Sequence, residues 1–362
     1  MTEPTYIPLR LHTEFSIIDG MVRIKKLIAK AQEYGLPALG ISDLMNEFGL
    51  VKFYKACRGA GIKPIGAADV WIGNPNAPDK PFRAMLIIRN DAGYLRLSEL
   101  LTEAYVGKDR NIHHAELNPE WLENGDNSGL ICLSGAHYGE VGVNLLNGNE
   151  DAARAAALKY AAWFPDAFYL ELQRLPERPE WEACVSGSVK LAEELGLPVV
   201  ATHPTQFMSS DDFNAHEARV CIAGGWVLTD KKRPRDFTPS QFFIPPETMA
   251  ERFADLPEAL ENTVEIAKRC NLHITLGKNF LPLFPTPDGL SLDDYLVKLS
   301  NEGLQERMVQ LYPDEAERAE KMPEYQERLD FELNIIIQMK FPGYFLIVQD
   351  FINWAKTHGC PV

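Results

Sequence analysis

The sequence predicts an α/β fold in which the first 225 residues build a mainly parallel sheet covered by helices. Short apolar, β-prone runs recur along this region, and stretches with apolar residues at helical spacing separate most of them. Helix-ending signals such as Gly196-Leu197-Pro198 stand between the two patterns. A chain that alternates in this way returns through helical crossovers, so its strands run parallel and both faces of the sheet are covered, whether it stays open or closes into a barrel.

In order, strands are expected at 6–11, 38–42, 63–71, 84–89, 129–135, 167–173 and 198–202. Helical patterns include 22–34, with apolar Val22, Ile24, Leu27, Ile28 and Ala31, and 180–195. In such folds, groups that act on a ligand sit just past the C-terminal ends of the strands. Here those positions hold His12, Asp43, Asp69, Ala136 with His137, and His203. Carboxylates and imidazoles gathered at one rim suit a metal-dependent hydrolase.

Beyond residue 225 the pattern changes. Pro234, Pro239, Pro245 and Pro246 lead to a helix at 256–270, and the extended stretch 279–288, with Pro282, Pro285 and Pro287, marks a domain boundary. Two domains are therefore expected, 1–280 and 281–362. The second has helices at 292–310 and 314–337, a turn at Phe341-Pro342-Gly343-Tyr344 and a last helix at 344–358. The chain stops at Cys360-Pro361-Val362 without a cap or docking element, which leads us to expect that this domain continues.

A net charge of −15 excludes a protein that coats nucleic acid with its whole surface, because phosphate binding needs neutralising Lys and Arg. The one dense basic run is Lys231, Lys232, Arg233 and Arg235, read either as a solvated loop or as a local nucleic-acid contact. Six cysteines without a CxxC pair point to reduced, mostly buried thiols rather than a zinc site. His113-His114 lie among Asp109, Arg110 and Glu116 and read as a solvated pair. No basic stretch with an apolar core opens the chain, and no apolar run approaches 18 residues, so a cytoplasmic location is expected.

The segment Leu9-Arg10-Leu11-His12-Thr13-Glu14-Phe15-Ser16-Ile17-Ile18-Asp19-Gly20 resembles the opening motif of the PHP (polymerase and histidinol phosphatase) domain. Pro37-Ala38-Leu39-Gly40-Ile41-Ser42-Asp43, Phe48-Gly49-Leu50-Val51-Lys52-Phe53-Tyr54, Gly61-Ile62-Lys63-Pro64-Ile65-Gly66 and Gly196-Leu197-Pro198-Val199-Val200-Ala201-Thr202 match the same family in order. Met339-Lys340-Phe341-Pro342-Gly343-Tyr344-Phe345-Leu346-Ile347-Val348 is similar to the early palm of bacterial C-family replicative DNA polymerases. Together these motifs span the chain.

The resemblance implies a distorted seven-stranded βα barrel followed by the mainly helical start of a palm domain. It also implies template-directed DNA synthesis with magnesium in a complete protein, whose phosphate-binding loop and metal-holding acids follow the last residue here. No catalytic residue and no bound cofactor are then expected in this stretch. The implied partners are the proofreading exonuclease, docked by the barrel, and the other replicase subunits and primer-template DNA through regions beyond it. The competing expectation is an active PHP phosphoesterase, a 3′–5′ exonuclease or a pyrophosphatase.

The resemblance also bears on the rim. Where active PHP domains carry metal ligands, this sequence has Arg10 and Arg83 for His, Leu44 for His, Asp69 for Glu, Ala136 for Cys, and Pro204 and Gln206 for Asp and His. His12, Asp19 and Asp69 remain as a vestigial set, with His137 and His203 as outside candidates for a single-metal site. Arg10 is expected to pair with Asp19 or Asp69, with Arg83 assisting, as substitute cations. The alternatives are a packed core histidine at His12, a simple turn at Asp19-Gly20, a helix N-cap at Asp43, and arginines that point to solvent.

Overall fold

The computed structural model describes residues 4–278 and 280–362 and divides the chain into two compact units, Met1–Ile274 and Thr275–Val362. The first residue of the expected boundary stretch, Asn279, lies outside the described residues.

Six strands form one curled sheet in chain order: β1 (Ala38–Leu44), β2 (Lys63–Ile72), β3 (Phe82–Ile88), β4 (Leu130–Leu133), β5 (Phe168–Leu172) and β6 (Val199–Ala201). The helices of this unit are α1 (Ile24–Glu33), α2 (Leu50–Gly59), α3 (Asp91–Val106), α4 (Pro119–Glu123), α5 (Glu140–Leu146), α6 (Glu150–Trp163), α7 (Glu182–Leu195), α8 (Phe213–Gly224), α9 (Pro246–Arg252) and α10 (Pro257–Arg269). The apolar side of α1, Ile24, Leu27, Ile28 and Ala31, is buried, as its spacing requires. Strands β1, β4, β5 and β6 are buried along their whole length, the mark of a sheet covered on both faces.

Two expectations are corrected. The sheet is mixed: β1–β2, β4–β5 and β5–β6 are parallel, but β3 runs antiparallel to both β2 and β4. The link from β2 to β3 holds Gly73, Pro75, Pro78 and Pro81 and no helix, so the chain turns straight back. This reversal brings the start of β3 to the rim where β2 ends, with Arg83 opposite Trp71.

The second correction concerns 6–11, which is extended but forms no ladder, leaving six strands among the described residues. Pro8 has no N–H to give, and the Leu11 N–H donates to the Ser42 hydroxyl at 3.0 Å instead of to a backbone carbonyl. The segment still spans both sheet edges. Pro8 and Leu11 carbonyls accept from Gly40 N (2.7 Å) and Ser42 N (2.8 Å) of β1, and His12 N donates to Thr205 O (2.9 Å) just past β6. Arg10 and His12 thereby reach the barrel mouth.

The second unit is a helical arrangement of α11 (Leu292–Leu311), α12 (Glu315–Gln338) and α13 (Pro342–Thr357) around a small core of Leu296, Leu333 and Leu346. Ser291 and Asp314 cap the first two helices by accepting from Asp294 N and Glu317 N. The turn expected at 341–344 falls earlier, because Pro342 occupies the first turn of α13, where a missing N–H costs nothing. Five of the cysteines are buried free thiols and Cys360 is exposed. Among the described residues no single helix is long and apolar enough to cross a membrane.

Gly40 sets how closely the 6–11 segment approaches β1, since a Cβ there would lie 2.3 Å from Leu9 O. Gly40→Ala should therefore displace the segment carrying Arg10 and His12 and lower the unfolding free energy by about 1–3 kcal/mol. Urea denaturation of both proteins measures this.

A candidate site at the barrel mouth

Asp69, late in β2, is fully buried. An isolated buried carboxylate is costly, and cations or hydrogen-bond donors must compensate. Asp69 Oδ2 accepts from three of them, the guanidinium of Arg10, that of Arg83 and His12 Nε2. Burial would raise the Asp69 pKa, but the charges of Arg10 and Arg83, together with His12, hold it well below the usual carboxylate range.

Arg10 also grips a second carboxylate. Its Nε and Nη2 donate to Glu171 Oε1 and Oε2 at 2.7 and 2.9 Å, a bidentate pair across the barrel to β5. Glu171 accepts further bonds from Thr202 Oγ1 (2.5 Å), Gln173 Nε2 (3.3 Å) and Gly135 N (3.1 Å), so its lone pairs are well occupied. Sequence reasoning missed this residue. Its signal was a lone carboxylate inside an otherwise apolar strand, Phe-Tyr-Leu-Glu-Leu.

His12 bridges two acids, with Nδ1 2.9 Å from Asp19 Oδ1 and Nε2 3.1 Å from Asp69 Oδ2. A ring whose nitrogens both face carboxylates carries a proton on each. Burial alone would lower its pKa, yet the charge and hydrogen bond of Asp19, joined by Asp69, raise it from 6.5 to about 9. Asp19 is held below its ordinary value by His12 and Arg83 against the opposing effect of burial. It accepts from side chains, His12 and Ser16 Oγ at 2.7 Å, rather than forming only a backbone turn. Arg10 therefore pairs with Asp69 and Glu171, while Asp19 pairs with His12.

Arg83 lies between aromatic faces, its guanidinium 4.9 Å from the Trp71 ring and 5.6 Å from Tyr138. Neither arginine points to solvent, since both are largely buried against Asp69. Three cations face three carboxylates, drawn from residues 10–19, β2, β3 and β5.

The remaining rim residues take other roles. Asp43 belongs to β1 and is no helix N-cap: it accepts from Thr13 N (2.6 Å) and Thr13 Oγ1, and burial raises its pKa to about 6 against those bonds. His137 stacks on Trp181 at 3.5 Å, and burial with the Arg83 and Arg10 charges lowers it to about 3. His203 donates from Nε2 to Phe242 O (2.9 Å) and accepts at Nδ1 from Arg252, and burial lowers it to about 3. His114 bonds Glu116 at 2.8 Å in an open loop, and His113 is exposed. Leu44 and Ala136 are buried apolar side chains. Arg10, Asp69, Arg83, His137, Pro204 and Gln206 border a cavity of about 40 Å3.

The basic run is not uniform. Lys231, Lys232 and Arg235 are exposed, but Arg233 is buried in an ion pair with Glu217 of α8, which removes it from both readings of the run as a solvated or phosphate-binding stretch.

These donors do not fit a metal cluster. The lone pairs of His12 are covered by protons, Asp69 Oδ2 is engaged by two guanidiniums, and those permanent charges repel a cation from the same space. Among the described residues no group of three or more His, Cys, Asp or Glu is arranged to hold an ion.

Fold and rim together define a barrel of the PHP class, and the PHP domain family matches residues 8–175. Residues 294–362 match the family described as the bacterial DNA polymerase III alpha NTPase domain. The chain belongs to the DNA polymerase III alpha subunit family. It is 98% identical over 362 residues to the DNA polymerase III subunit alpha of Neisseria meningitidis serogroup A, covering all of this chain and 32% of that protein. Its counterpart in Pseudomonas fluorescens is 49% identical over 99% of this chain and 30% of its own length, and that of Escherichia coli K12 is 48% identical over 100% and 31%. The chain thus spans about a third of the length of the curated relatives it matches.

Because the His12 pKa is raised on folding, its stabilisation is complete below the unfolded value near 6.5 and is lost as pH rises through about 9. The stability advantage of wild type over His12→Gln should accordingly be largest at acidic to neutral pH and shrink steadily toward pH 9. Denaturant titrations across that window check it, and an advantage that grew with pH would contradict the protonated assignment.

Proposed function

We propose that this chain is the barrel-bearing part of a cytoplasmic replicative DNA polymerase that copies a template with magnesium in its complete form. Within it, the barrel serves as a structural module that docks the proofreading exonuclease. Primer-template DNA and other replicase subunits would engage regions beyond this chain. A local phosphate contact through Lys231, Lys232 and Arg235 remains compatible with their exposure.

The observation that supports a structural rather than hydrolytic barrel is the joint grip of Arg10 and Arg83 on Asp69. A phosphoesterase needs a metal-activated water and open coordination positions. Here guanidiniums stand beside the acid that would ligate the metal, and His12 is protonated. On this reading His12, Asp19 and Asp69 are a vestigial set and the arginines have taken over the metals' structural role.

The purified chain should show no primer extension and no phosphodiester or pyrophosphate hydrolysis with Mn²⁺, Zn²⁺ or Mg²⁺, and EDTA should leave its melting temperature unchanged. Metal-dependent turnover abolished by His12→Ala would instead establish the phosphoesterase. For docking, residues 1–280 and the full chain should bind the exonuclease with equal affinity by calorimetry. Binding that required residues 281–362 would move the contact off the barrel.

A further inference from the structure

Apolar side chains on a folded surface normally occur singly, and contiguous exposed ones mark interaction sites. Residues 222–229, at the end of α8 and in the loop beyond it, are exposed without interruption. They include Ile222, Trp226, Val227 and Leu228, with Ile222 82% and Val227 67% exposed. Gly225 makes this turn possible by taking φ +69 at the helix C-cap, and the Trp226 indole lies beside Gly224, where a Cβ would meet it at 2.7 Å.

This loop is held at both ends. Cys221 is buried at its start and receives Trp226 N on its carbonyl at 2.8 Å. On the return leg, the buried Arg233 pairs with buried Glu217 at 2.5 Å and donates from Nε to Leu228 O at 3.2 Å. Burying two charges is expensive, and part of what this pair secures is the backbone of an exposed apolar loop. One turn before Ile222, Arg219 donates to Ile17 O (2.7 Å) and Glu14 O (3.0 Å), which ties α8 to a rim turn with Ile17 and Ile18 exposed. The apolar residues thus sit on a preset platform, a state that lowers the ordering cost of binding.

Charge selects the occupant. Lys231, Lys232 and Arg235 follow the apolar residues in the chain and are exposed, and they outnumber Asp230 and Asp236 of the same segment, on a chain of net charge −15. Of the four apolar side chains only Trp226 could stack on a base, whereas Ile222, Val227 and Leu228 cannot do what single-stranded nucleic acid requires; aliphatic anchors followed in the chain by exposed cations complement a polypeptide with apolar and acidic side chains. We propose that residues 222–235 are the docking platform for the barrel's partner protein and take an apolar segment of it flanked by Asp or Glu. This rests on the reading that the barrel docks the exonuclease and adds where the contact lies and by what chemistry it is made.

The test is calorimetric titration of the purified exonuclease onto the full chain, comparing wild type with Ile222→Ser/Val227→Ser and with Lys231→Glu/Lys232→Glu. All four positions are exposed, so unchanged thermal melts are expected and show that the variants fold. The expected result is at least about tenfold weaker binding for the apolar pair, and weaker binding with a flatter salt dependence for the charge reversal. Wild-type binding that both variants keep would overturn the platform and leave docking intact, whereas no wild-type binding would sink the docking reading and the platform with it. Wild-type-level exonuclease binding by the charge reversal together with lost affinity for a primer-template oligonucleotide would assign the surface to nucleic acid instead.

Discussion

Asp69 has no exposed surface, and most features of the barrel mouth follow from keeping its charge compensated. A buried carboxylate either takes up a proton or acquires partners. Asp69 acquires three partners from two separate places: Arg10 and His12 on the segment that spans the sheet edges, and Arg83 on β3. Arg10 extends the connection to Glu171 on β5, and Thr202 just past β6 closes on Glu171. The network holds together parts of the chain far apart in sequence. The irregular first segment, which lacks a ladder of its own, is fixed to the mouth by these side chains together with its backbone bonds to β1 and Thr205.

A divalent cluster at such a rim is lost to chelators and needs deprotonated ligands. Guanidinium stays charged at every physiological pH and bonds two oxygens at once. A rim built on Arg10 and Arg83 therefore keeps its compensation without an exchangeable ion, and only His12 adds a titratable element. The cavity beside it retains unpartnered polar atoms among the described residues, Asp69 Oδ1, Arg83 Nε and Gln206 Oε1.

Much of this was legible in the sequence because the signals were local. Helical spacing in 22–34 and 180–195 and the apolar runs of β1, β2 and β5 depend on near neighbours, and the structure places elements there. The reversal at β3 was missed because strand direction was inferred from alternation alone, although 73–81 offers proline and glycine and no helical spacing. The strand expected at 6–11 failed on Pro8 and on a side-chain hydroxyl from 31 residues away. At the site, Arg10 and Arg83 stood out because they replace expected ligands, whereas Glu171 emerged only when the fold placed β5 across from Arg10. Arg233 looked like part of a solvated run for the same reason, since its partner Glu217 lies on another element.

The central claim, that arginine and carboxylate hold the mouth together, is tested most directly by a double-mutant cycle on Arg10→Ala and Asp69→Ala, read by denaturant unfolding in EDTA. A buried pair broken from one side costs about 3–5 kcal/mol, so each single change should be severe, and the double mutant should lose less than their sum by at least about 1 kcal/mol. Coupling below about 0.5 kcal/mol, with each single loss under about 1 kcal/mol as for an exposed pair, would contradict the account.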